Sequence, residues 1–253
     1  MSFAGKVVIV TGSSSGIGAA AAIEFTKEGA SVVIVGRNET KLKNISEDCE
    51  KLGKKPLVLK VDVSNEVEAK SLIDKTIEHF GKLDILVNNA GIGSSFDIVN
   101  DGFMQNFDDL MNVNLRAAVY LTHLAIPHLI QTKGNIINIS SVAGTTVNAA
   151  SYGLVSYCTS KSALNHFSRC VAQRLASSGI RVNVISPRPV RTDIMENSKN
   201  YHFTWDIHRE GTALKRVSEP KEVADLILLL AGDKTKGVTG SEYVLDNGHL
   251  LKN

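Results

Sequence analysis

Short runs of apolar residues alternate with longer segments of helical period from one end of the chain to the other. Most of the runs are apolar at every position, which is typical of parallel strands that helices cover on both faces. Strands that alternate with helices build a parallel sheet through crossover connections. The pattern therefore predicts an α/β fold with a doubly wound, seven-stranded parallel sheet. The predicted strands are residues 6–11, 31–36, 56–61, 83–88, 135–140, 181–186 and 242–245.

One segment interrupts this pattern. Residues 188–218 are polar, mixed in charge and without a clean period, and long irregular segments inside a compact domain are commonly functional lids. We therefore expect a single domain over residues 1–253 with a substrate lid around 188–218. Apolar side chains alternate within this segment and could form a wall over a substrate, a cluster that pins the loop, or a contact between subunits. They are Tyr201, Phe203, Trp205 and Ile207.

Composition and charge exclude several classes of protein. The 253 residues include 28 Lys and Arg against 26 Asp and Glu, a net charge of +2 that is too small for a surface that binds a phosphate backbone. The apolar stretch 226–231 is far shorter than the ~20 residues that cross a bilayer. No secretory leader is visible and the three cysteines are scattered. We therefore expect a cytoplasmic protein without disulfides, metal, nucleic-acid partner or membrane anchor.

The first predicted strand runs directly into the sequence TGSSSGIG at residues 11–18 and then into an alanine-rich helix. Glycines at such a turn permit positive φ angles and allow a pyrophosphate to approach backbone amides at the helix N-terminus, where the helix dipole favours negative charge. The alternative is a loop that merely needs flexible corners. The strand, turn and helix context indicates a dinucleotide site of the Rossmann type. The residues expected to contact the cofactor are Gly12, Ser14, Ser15, Gly16, Ile17 and Gly18.

The end of the second predicted strand indicates which dinucleotide binds. An NAD site usually has an acidic residue about 20 residues past the glycines, which accepts a hydrogen bond from the ribose 2′-hydroxyl. Here the strand ends in the sequence VGRN at residues 35–38, without a carboxylate. The planar guanidinium of Arg37 can pair with a 2′-phosphate, so we expect NADP(H) as the cofactor. The alternative is that Arg37 is a solvated loop arginine.

Six motifs in order resemble the short-chain dehydrogenase/reductase family over nearly the whole chain. They are the turn at 11–18, Asp62, the sequence NNAG at 88–91, Asn114, the serine pair 140–141 and the sequence YCTSK at 157–161. The resemblance implies a single-domain Rossmann fold, interconversion of a carbonyl and an alcohol, and a homotetramer. It also implies cofactor contacts from Asp62 and Val63 at the adenine, from Asn89, Ala90 and Gly91 at the ribose, and from Pro187, Val190 and Thr192 beside the nicotinamide.

Tyr157 and Lys161 lie four residues apart, which places them one turn apart on one face of a predicted helix over 155–176. A fixed positive charge near a phenol favours the phenolate, so we expect Lys161 to lower the pKa of Tyr157 and Tyr157 to serve as the acid/base. The resemblance implies that both residues also contact the cofactor. The same spacing counts against the enoyl reductases of the superfamily, so we expect carbonyl reduction rather than C=C reduction.

The resemblance also assigns roles to two further polar residues. Ser141 would hydrogen-bond the substrate oxygen and stabilise the charge that develops there. Asn114 would hold a water that links Lys161 to solvent. The period of the strand leaves Ser140 open as the alternative to Ser141, and the family motif favours the second serine of the pair.

Two features depart from the family pattern. The connection over 145–156 is a few residues longer than in many relatives and would border the substrate, with Tyr152 and Leu154 as candidates for the pocket rim. Arg188 stands where the family has glycine. If glycine is needed for a positive φ, arginine costs about 1 kcal/mol or more of strain, and if it is needed for room, arginine must point away.

Two classes of function remain open. The leading hypothesis is an NADP(H)-dependent carbonyl reductase for a moderately hydrophobic small molecule. The alternative is a dinucleotide-binding sensor or scaffold that has lost its chemistry, for which Arg188 is the sequence feature in favour. A nucleotide-sugar epimerase is disfavoured by the glycine spacing.

Overall fold

The computed structural model describes residues 2–147, 153–196 and 204–252, and within them seven strands form one parallel sheet. The strands are β1 (Val7–Thr11), β2 (Ser31–Gly36), β3 (Leu57–Lys60), β4 (Ile85–Asn88), β5 (Asn135–Ile139), β6 (Arg181–Pro187) and β7 (Glu242–Leu245). Their spatial order is β3-β2-β1-β4-β5-β6-β7, so the sheet changes its direction of growth between β1 and β4. Such a switch point opens a crevice at the carboxyl ends of the two strands. The predicted strands are confirmed to within two residues at each end.

The helices of the described residues connect these strands and cover both faces of the sheet. They are α1 (Gly16–Lys27), α2 (Glu39–Leu52), α3 (Glu66–Phe80), α4 (Phe103–Met111), α5 (Ala117–Thr132), α6 (Val155–Leu175), α7 (Asp193–Glu196), α8 (Trp205–Glu210) and α9 (Pro220–Ala231). A π-helical turn, Asn112–Arg116, joins α4 to α5. Local signals fix several ends. Asn38 accepts a hydrogen bond from the amide of Lys41 at the start of α2, and Gly81, at φ 74°, ends α3.

Successive residues of each inner strand point into two separate cores. Val8 and Val10 of β1 pack with α1 and α9 on one face of the sheet. Val7 and Ile9 pack with α3 and α5 on the other face. Because helices cover both faces of the sheet, strand residues that point to either face need apolar side chains. This explains why most of the strands are apolar at successive positions rather than at alternate ones.

The segment after β6 is more regular than the sequence predicts. Residues 188–196 and 204–218 contain the short helices α7 and α8, and Val190 pairs with Ser218 in a parallel bridge. The amide of Ile207 donates to the hydroxyl of Thr204, 3.4 Å away, at the start of α8. A helix of six residues is too short to display a helical period in the sequence, so the expectation of an irregular segment is wrong here.

The helical geometry of α8 also changes the expected apolar wall. Trp205 lines the main cavity of the described residues, and the guanidinium of Arg191 lies 5.3 Å from the centre of its ring. Ile207, two residues further along the helix, is 68% exposed. Residues two apart on a helix face different directions, so these two side chains do not share a wall. Tyr201 and Phe203 lie outside the described residues.

Candidate active site

A cavity of about 460 Å³ opens at the carboxyl ends of β1, β4, β5 and β6. Parallel strands bring residues that are distant in the sequence to this one edge. The predicted site residues that line the cavity are Gly12, Ser14, Ser15, Gly16, Ile17, Arg37, Asp62, Val63, Asn89, Ala90, Gly91, Ser141, Tyr157, Lys161, Pro187, Val190 and Thr192. Leu154, a candidate for the rim, also lines it, whereas Tyr152 lies outside the described residues. Gly18 and Asn114 are buried behind the cavity wall.

The turn between β1 and α1 has little space for a side chain at its glycine positions. Gly12 and Gly16 have φ angles of 65° and 56°, in the left-handed region that favours glycine. A Cβ atom on Gly12 would lie 2.9 Å from the Cα of Ala90. A Cβ atom on Gly18 would lie 2.5 Å from Nδ2 of Asn89 and closer still to the carbonyl oxygen of Gly12. Gly18 therefore packs α1 against the turn, and the structure does not bring it to the cavity as a cofactor contact.

The N-terminus of α1 faces the cavity and is suited to an anion. Ser15 precedes the helix without a capping hydrogen bond from its side chain, and the first turn carries no acidic residue. Ser14, Gly16 and Ile17 line the cavity beside it. Free amides and the helix dipole at such an end favour negative charge. The residues present therefore fit the pyrophosphate of a dinucleotide.

Thr11 and Asn89 join the glycine turn to the segment after β4. The hydroxyl of Thr11 accepts hydrogen bonds from the amides of Asn89 at 2.9 Å and Ala90 at 3.0 Å, and lies 3.3 Å from the carbonyl oxygen of Val87. The side-chain amide of Asn89 donates back to the carbonyl oxygens of Thr11 at 2.9 Å and Gly12 at 3.3 Å. These bonds hold the two walls of the crevice together. The family resemblance implies a cofactor contact for Asn89, and nothing in the sequence pattern indicates this clamp between the two turns.

A charged pair stands at the β2 and β3 end of the cavity. Nη1 of Arg37 lies 3.6 Å from Oδ2 of Asp62, and the Arg37 side chain is 66% exposed. Partial burial acts to raise the pKa of Asp62, but hydrogen bonds from the Ser64 hydroxyl and amide, together with the charge of Arg37, hold it below its usual value. Asp62 is therefore ionised at neutral pH. The guanidinium of Arg37, which the sequence predicts to bind a 2′-phosphate, is already paired with this carboxylate.

A second ion pair crosses the cavity mouth. Lys41 of α2 bonds to Asp193 of α7, which also lines the cavity. The Lys41 hydrogen bond, with a smaller contribution from Ser15, holds the pKa of Asp193 below its usual value. The segment after β6 is thereby attached to the glycine turn and to α2. Neither Lys41 nor Asp193 was identified from the sequence, because the pair joins residues 152 positions apart.

Tyr157 and Ser141 meet at the inner end of the cavity. The pKa of Tyr157 lies above its usual value because burial disfavours the phenolate, while a hydrogen bond from Ser141 and the positive charge of Arg188 act in the opposite direction. Tyr157 is therefore a neutral phenol at neutral pH, able to donate a proton. The expectation that its pKa would be lowered is wrong for the protein as described.

Lys161 is buried, and its ammonium group bonds to the main chain rather than to the hydroxyl of Tyr157. Its Nζ atom donates a 3.0 Å hydrogen bond to the carbonyl oxygen of Ile139 and lies 5.7 Å from the centre of the Tyr157 ring. The residue is only 3% exposed, and this burial lowers the pKa of its ammonium group to about 8. Lys161 and Tyr157 do share one face of α6, as the spacing predicts.

The two serines after β5 have different partners. Ser140 donates to the main-chain carbonyl of Lys161 at 3.3 Å, which anchors α6 to β5. Ser141 accepts a hydrogen bond from the amide of Ala143 at 3.2 Å and bonds to Tyr157 inside the cavity. This arrangement favours Ser141 over Ser140 as the hydroxyl that can meet a substrate oxygen.

Asn114 lies in the π-helical turn and bonds to the chain behind the cavity. Its Oδ1 accepts from the amide of Ile92 at 2.8 Å, and its Nδ2 donates to the Ile92 carbonyl at 3.0 Å and the Ser160 hydroxyl at 3.2 Å. The side chain thus joins the segment after β4 to α6. Its predicted water-holding role stays a prediction, and its observed contacts are positional.

The described residues contain no group of three His, Cys, Asp or Glu side chains that could hold a metal ion. None of the helices in the described ranges combines the length and the hydropathy that a bilayer crossing requires.

Comparison with known proteins decides the family. A family model described as "Enoyl-(Acyl carrier protein) reductase" matches residues 12–249. The chain is 32% identical to a 3-oxoacyl-(acyl-carrier-protein) reductase of Thermotoga maritima, covering 99% of this chain and 100% of that protein. It is 36% identical to an L-fucose dehydrogenase of Bos taurus, over 98% of this chain and 91% of that protein. The chain belongs to the short-chain dehydrogenase/reductase family.

Solved structures of the family share the architecture. A short-chain dehydrogenase from Burkholderia cenocepacia, crystallised in complex with NADP, superposes with a TM-score of 0.91 at 30% identity, covering 99% of this chain and 100% of that chain. A dehydrogenase/reductase from Sinorhizobium meliloti has the same TM-score at 33% identity, covering 98% and 96%. The predicted family and the predicted doubly wound sheet are confirmed. The family uses nicotinamide dinucleotide cofactors, and the residues of this chain fit one.

Arg188 departs from the family pattern without straining the backbone. Its φ is not positive, and its amide donates a 2.9 Å hydrogen bond to the carbonyl oxygen of Leu245 on β7. The side chain does not point away, because it lines the cavity together with His208 of α8. Neither the expected strain nor an outward-pointing side chain is therefore found, and Arg188 adds a cation to the cavity wall.

We predict that Gly18→Ala weakens NADPH binding by at least about 30-fold, because a methyl group at this position collides with the backbone of the turn. Gly237→Ala is the matched control, since a Cβ there meets nothing within 4 Å. NADPH fluorescence titration measures the affinity, and circular dichroism checks that both variants are folded. Wild-type affinity in folded Gly18→Ala would contradict the packing account.

Proposed function

We propose that this protein is an NADP(H)-dependent carbonyl reductase, which interconverts a carbonyl and an alcohol on a moderately hydrophobic small molecule. The observation that carries the proposal is the neutral phenol of Tyr157, bonded to Ser141 at the inner end of a cavity whose other end is an uncapped helix N-terminus. An anion-binding turn and a proton donor in one crevice suit hydride transfer to a carbonyl.

The family resemblance assigns the cofactor residues. Gly12, Ser14, Ser15, Gly16 and Ile17 would hold the pyrophosphate, while Asp62 and Val63 would bind the adenine. Asn89, Ala90 and Gly91 would contact the ribose, and Pro187, Val190 and Thr192 would contact the nicotinamide. The nicotinamide, when bound, supplies the hydride in reduction or accepts it in oxidation. All these residues line the cavity, which supports the assignment.

The chain's own residues supply the proton and stabilise charge. Tyr157 donates its hydroxyl proton to the carbonyl oxygen as negative charge develops there, and in oxidation it takes that proton back. Ser141 donates a hydrogen bond to the same oxygen. The ammonium group of Lys161 makes the phenol a better donor, and its bond to Ile139 fixes its position. Asn114 positions the segment after β4, and we assign it a water that carries protons between Lys161 and solvent.

Carbonyl reduction is favoured over reduction of a C=C bond. The matching family model is described as an enoyl reductase, which would favour reduction of a C=C bond. However, the spacing of four residues between Tyr157 and Lys161 counts against the enoyl reductases. Two relatives that cover nearly the whole chain are named for carbonyl or alcohol chemistry, a 3-oxoacyl reductase and a meso-2,3-butanediol dehydrogenase.

Two further expectations belong to this proposal. The enzyme acts as a homotetramer in which α6 and the C-terminal segment 242–251 form subunit contacts. β7 is an edge strand, and Val244 and Leu251 are 46% and 84% exposed, which supports an interface there. The cytoplasmic location expected from the sequence stays a prediction.

We predict that Tyr157→Phe lowers kcat for carbonyl reduction by at least about 100-fold, because general acid catalysis commonly contributes that much. NADPH affinity should stay within about threefold of wild type. The matched control is Tyr243→Phe on β7. NADPH absorbance at 340 nm, followed with a panel of aldehydes and ketones, gives the rates. Undiminished turnover would remove the acid role of Tyr157, and tight NADPH binding by the wild type without any turnover would favour the sensor.

We predict that kcat/KM for reduction falls as pH rises through about 8. Burial lowers the pKa of Lys161 to about 8, so its positive charge is present below that pH and lost above it. Loss of the charge makes the neighbouring phenol a weaker proton donor. A pH profile of kcat/KM measured between pH 6 and about 10 checks the expectation. A profile that stays flat to pH 10 would exclude this role for Lys161.

We predict that Arg37→Gln lowers kcat/KM for NADPH by about 10- to 100-fold and changes kcat/KM for NADH by less than about threefold, because only the 2′-phosphate needs the guanidinium. Lys51→Gln, at the far end of α2 and paired with Asp48, is the control cation. Steady-state kinetics with both cofactors gives the comparison. Equal losses with NADPH and NADH would contradict the assigned contact.

A further inference from the structure

Arg188 places a cation in the wall of the cavity. Its side chain lines the cavity, and its Nε atom is fully buried without a hydrogen-bond partner. Within the described residues, none of the ion pairs involves this guanidinium. A donor that is shielded from water and makes no hydrogen bond is costly, so a ligand group that can accept from Nε is favoured at this position.

The acidic residues that line the described cavity are already engaged elsewhere. They are Asp62, which pairs with Arg37, and Asp193, which pairs with Lys41. Both pairs belong to the part of the cavity assigned to the adenine and the pyrophosphate. Neither carboxylate therefore neutralises Arg188.

The histidines near Arg188 do not compensate its charge either. His208 lines the cavity, and burial, with the charges of Arg188 and His249, lowers its pKa to about 4, so it is neutral at pH 7. The pKa of His249 is also lowered, first by burial and then by Arg188, and its Nδ1 lies 3.0 Å from the carbonyl oxygen of Gly211. The carboxylate of Asp246 accepts two backbone amides of its own turn.

Arg188 lines the same cavity as Tyr157 and Ser141, and its positive charge acts on the Tyr157 phenol. A substrate whose carbonyl oxygen meets Tyr157 and Ser141 therefore presents its neighbouring atoms to the guanidinium. The fork of an arginine matches a carboxylate with two parallel hydrogen bonds, and such charge-assisted bonds are stronger inside a protein than in water.

We infer that Arg188 is a specificity-determining residue that binds a carboxylate of the substrate, so that the enzyme reduces oxo acids or oxidises the corresponding hydroxy acids. The inference rests on the proposed carbonyl reductase function. In reduction by NADPH the carbonyl carbon gains the hydride and its oxygen gains the Tyr157 proton. NADPH becomes NADP⁺, and the carboxylate paired with Arg188 is unchanged.

Matched acid and ester pairs test the inference by kinetics. The pairs are pyruvate with methyl pyruvate, acetoacetate with ethyl acetoacetate, and levulinate with ethyl levulinate, which move the carboxylate stepwise away from the carbonyl. We expect the wild type to prefer the acid of at least one pair by 10-fold or more in kcat/KM, on the order of one charge-assisted contact. Arg188→Gln should lower kcat/KM for that acid at least about 10-fold more than for its ester, because loss of the charge beside Tyr157 affects both compounds alike and only the acid loses the contact.

The controls separate specificity from structure. Arg209→Gln changes an α8 arginine that pairs with Asp206 and lies outside the cavity wall, and it should keep the acid preference. Arg188→Lys keeps the charge without the fork and should restore part of the preference. Equal rates for acids and esters in the wild type, or equal losses for both in Arg188→Gln, would overturn the inference.

A binding measurement gives a readout that does not depend on turnover. Trp205 is the single tryptophan of the chain and lines the same cavity, so its fluorescence reports occupancy. Acetoacetate titrated into the enzyme with NADP⁺ should give a saturable change that Arg188→Gln weakens at least about 10-fold, whereas ethyl acetoacetate should not. If the acid binds but no compound is reduced, the proposed reductase function is wrong and the carboxylate site is supported. If the ester is reduced but the acid does not bind, the reductase function is supported and the carboxylate site is wrong.

Discussion

The hydrogen bonds between Thr11 and Asn89 are the constraint on which the site depends. The sheet changes direction between β1 and β4, and the paired part of these two strands ends at Val10 and Val87, so further bonds are needed to fix the turns that follow them. The hydroxyl of Thr11 accepts hydrogen bonds from two amides of the segment after β4. The side-chain amide of Asn89 donates to two carbonyl oxygens of the turn after β1. The clamp brings Gly12 against Ala90 and leaves an anion-binding helix end facing the crevice.

Burial, rather than attraction between charges, determines the direction of the pKa shifts of Tyr157 and Lys161 in the crevice. Burial keeps Tyr157 protonated and weakens the hold of Lys161 on its own proton, so both groups shift toward their neutral forms. A protonated phenol beside Ser141 is the state that carbonyl reduction requires. The positive charge of Arg188 acts in the opposite direction on Tyr157, because it favours the phenolate. One environment therefore yields a proton donor and a fixed cation next to each other.

Much of the fold could be predicted from the sequence, because the centres of β1 and β2 are continuously apolar and the turn at 11–18 has few structural uses in that context. The residues lining the site were largely predictable, since they follow the strand ends. The exceptions depend on contacts that spacing does not encode. Gly18 and Asn114 pack behind the wall, the pair of Lys41 and Asp193 joins distant segments, and α8 is too short to show a period. The direction of the Tyr157 pKa shift depends on burial, which residue spacing cannot give.

The most direct test of the account follows the hydride to its destination. The enzyme is given NADPH deuterated at the transferable C4 position together with benzylideneacetone, whose carbonyl is conjugated to a C=C bond, and the product is analysed by mass spectrometry and NMR. The account predicts the allylic alcohol with deuterium on the carbinol carbon. Saturated ketone with deuterium on the β-carbon would contradict it, because the site would then deliver hydride to the C=C bond rather than to the carbonyl carbon.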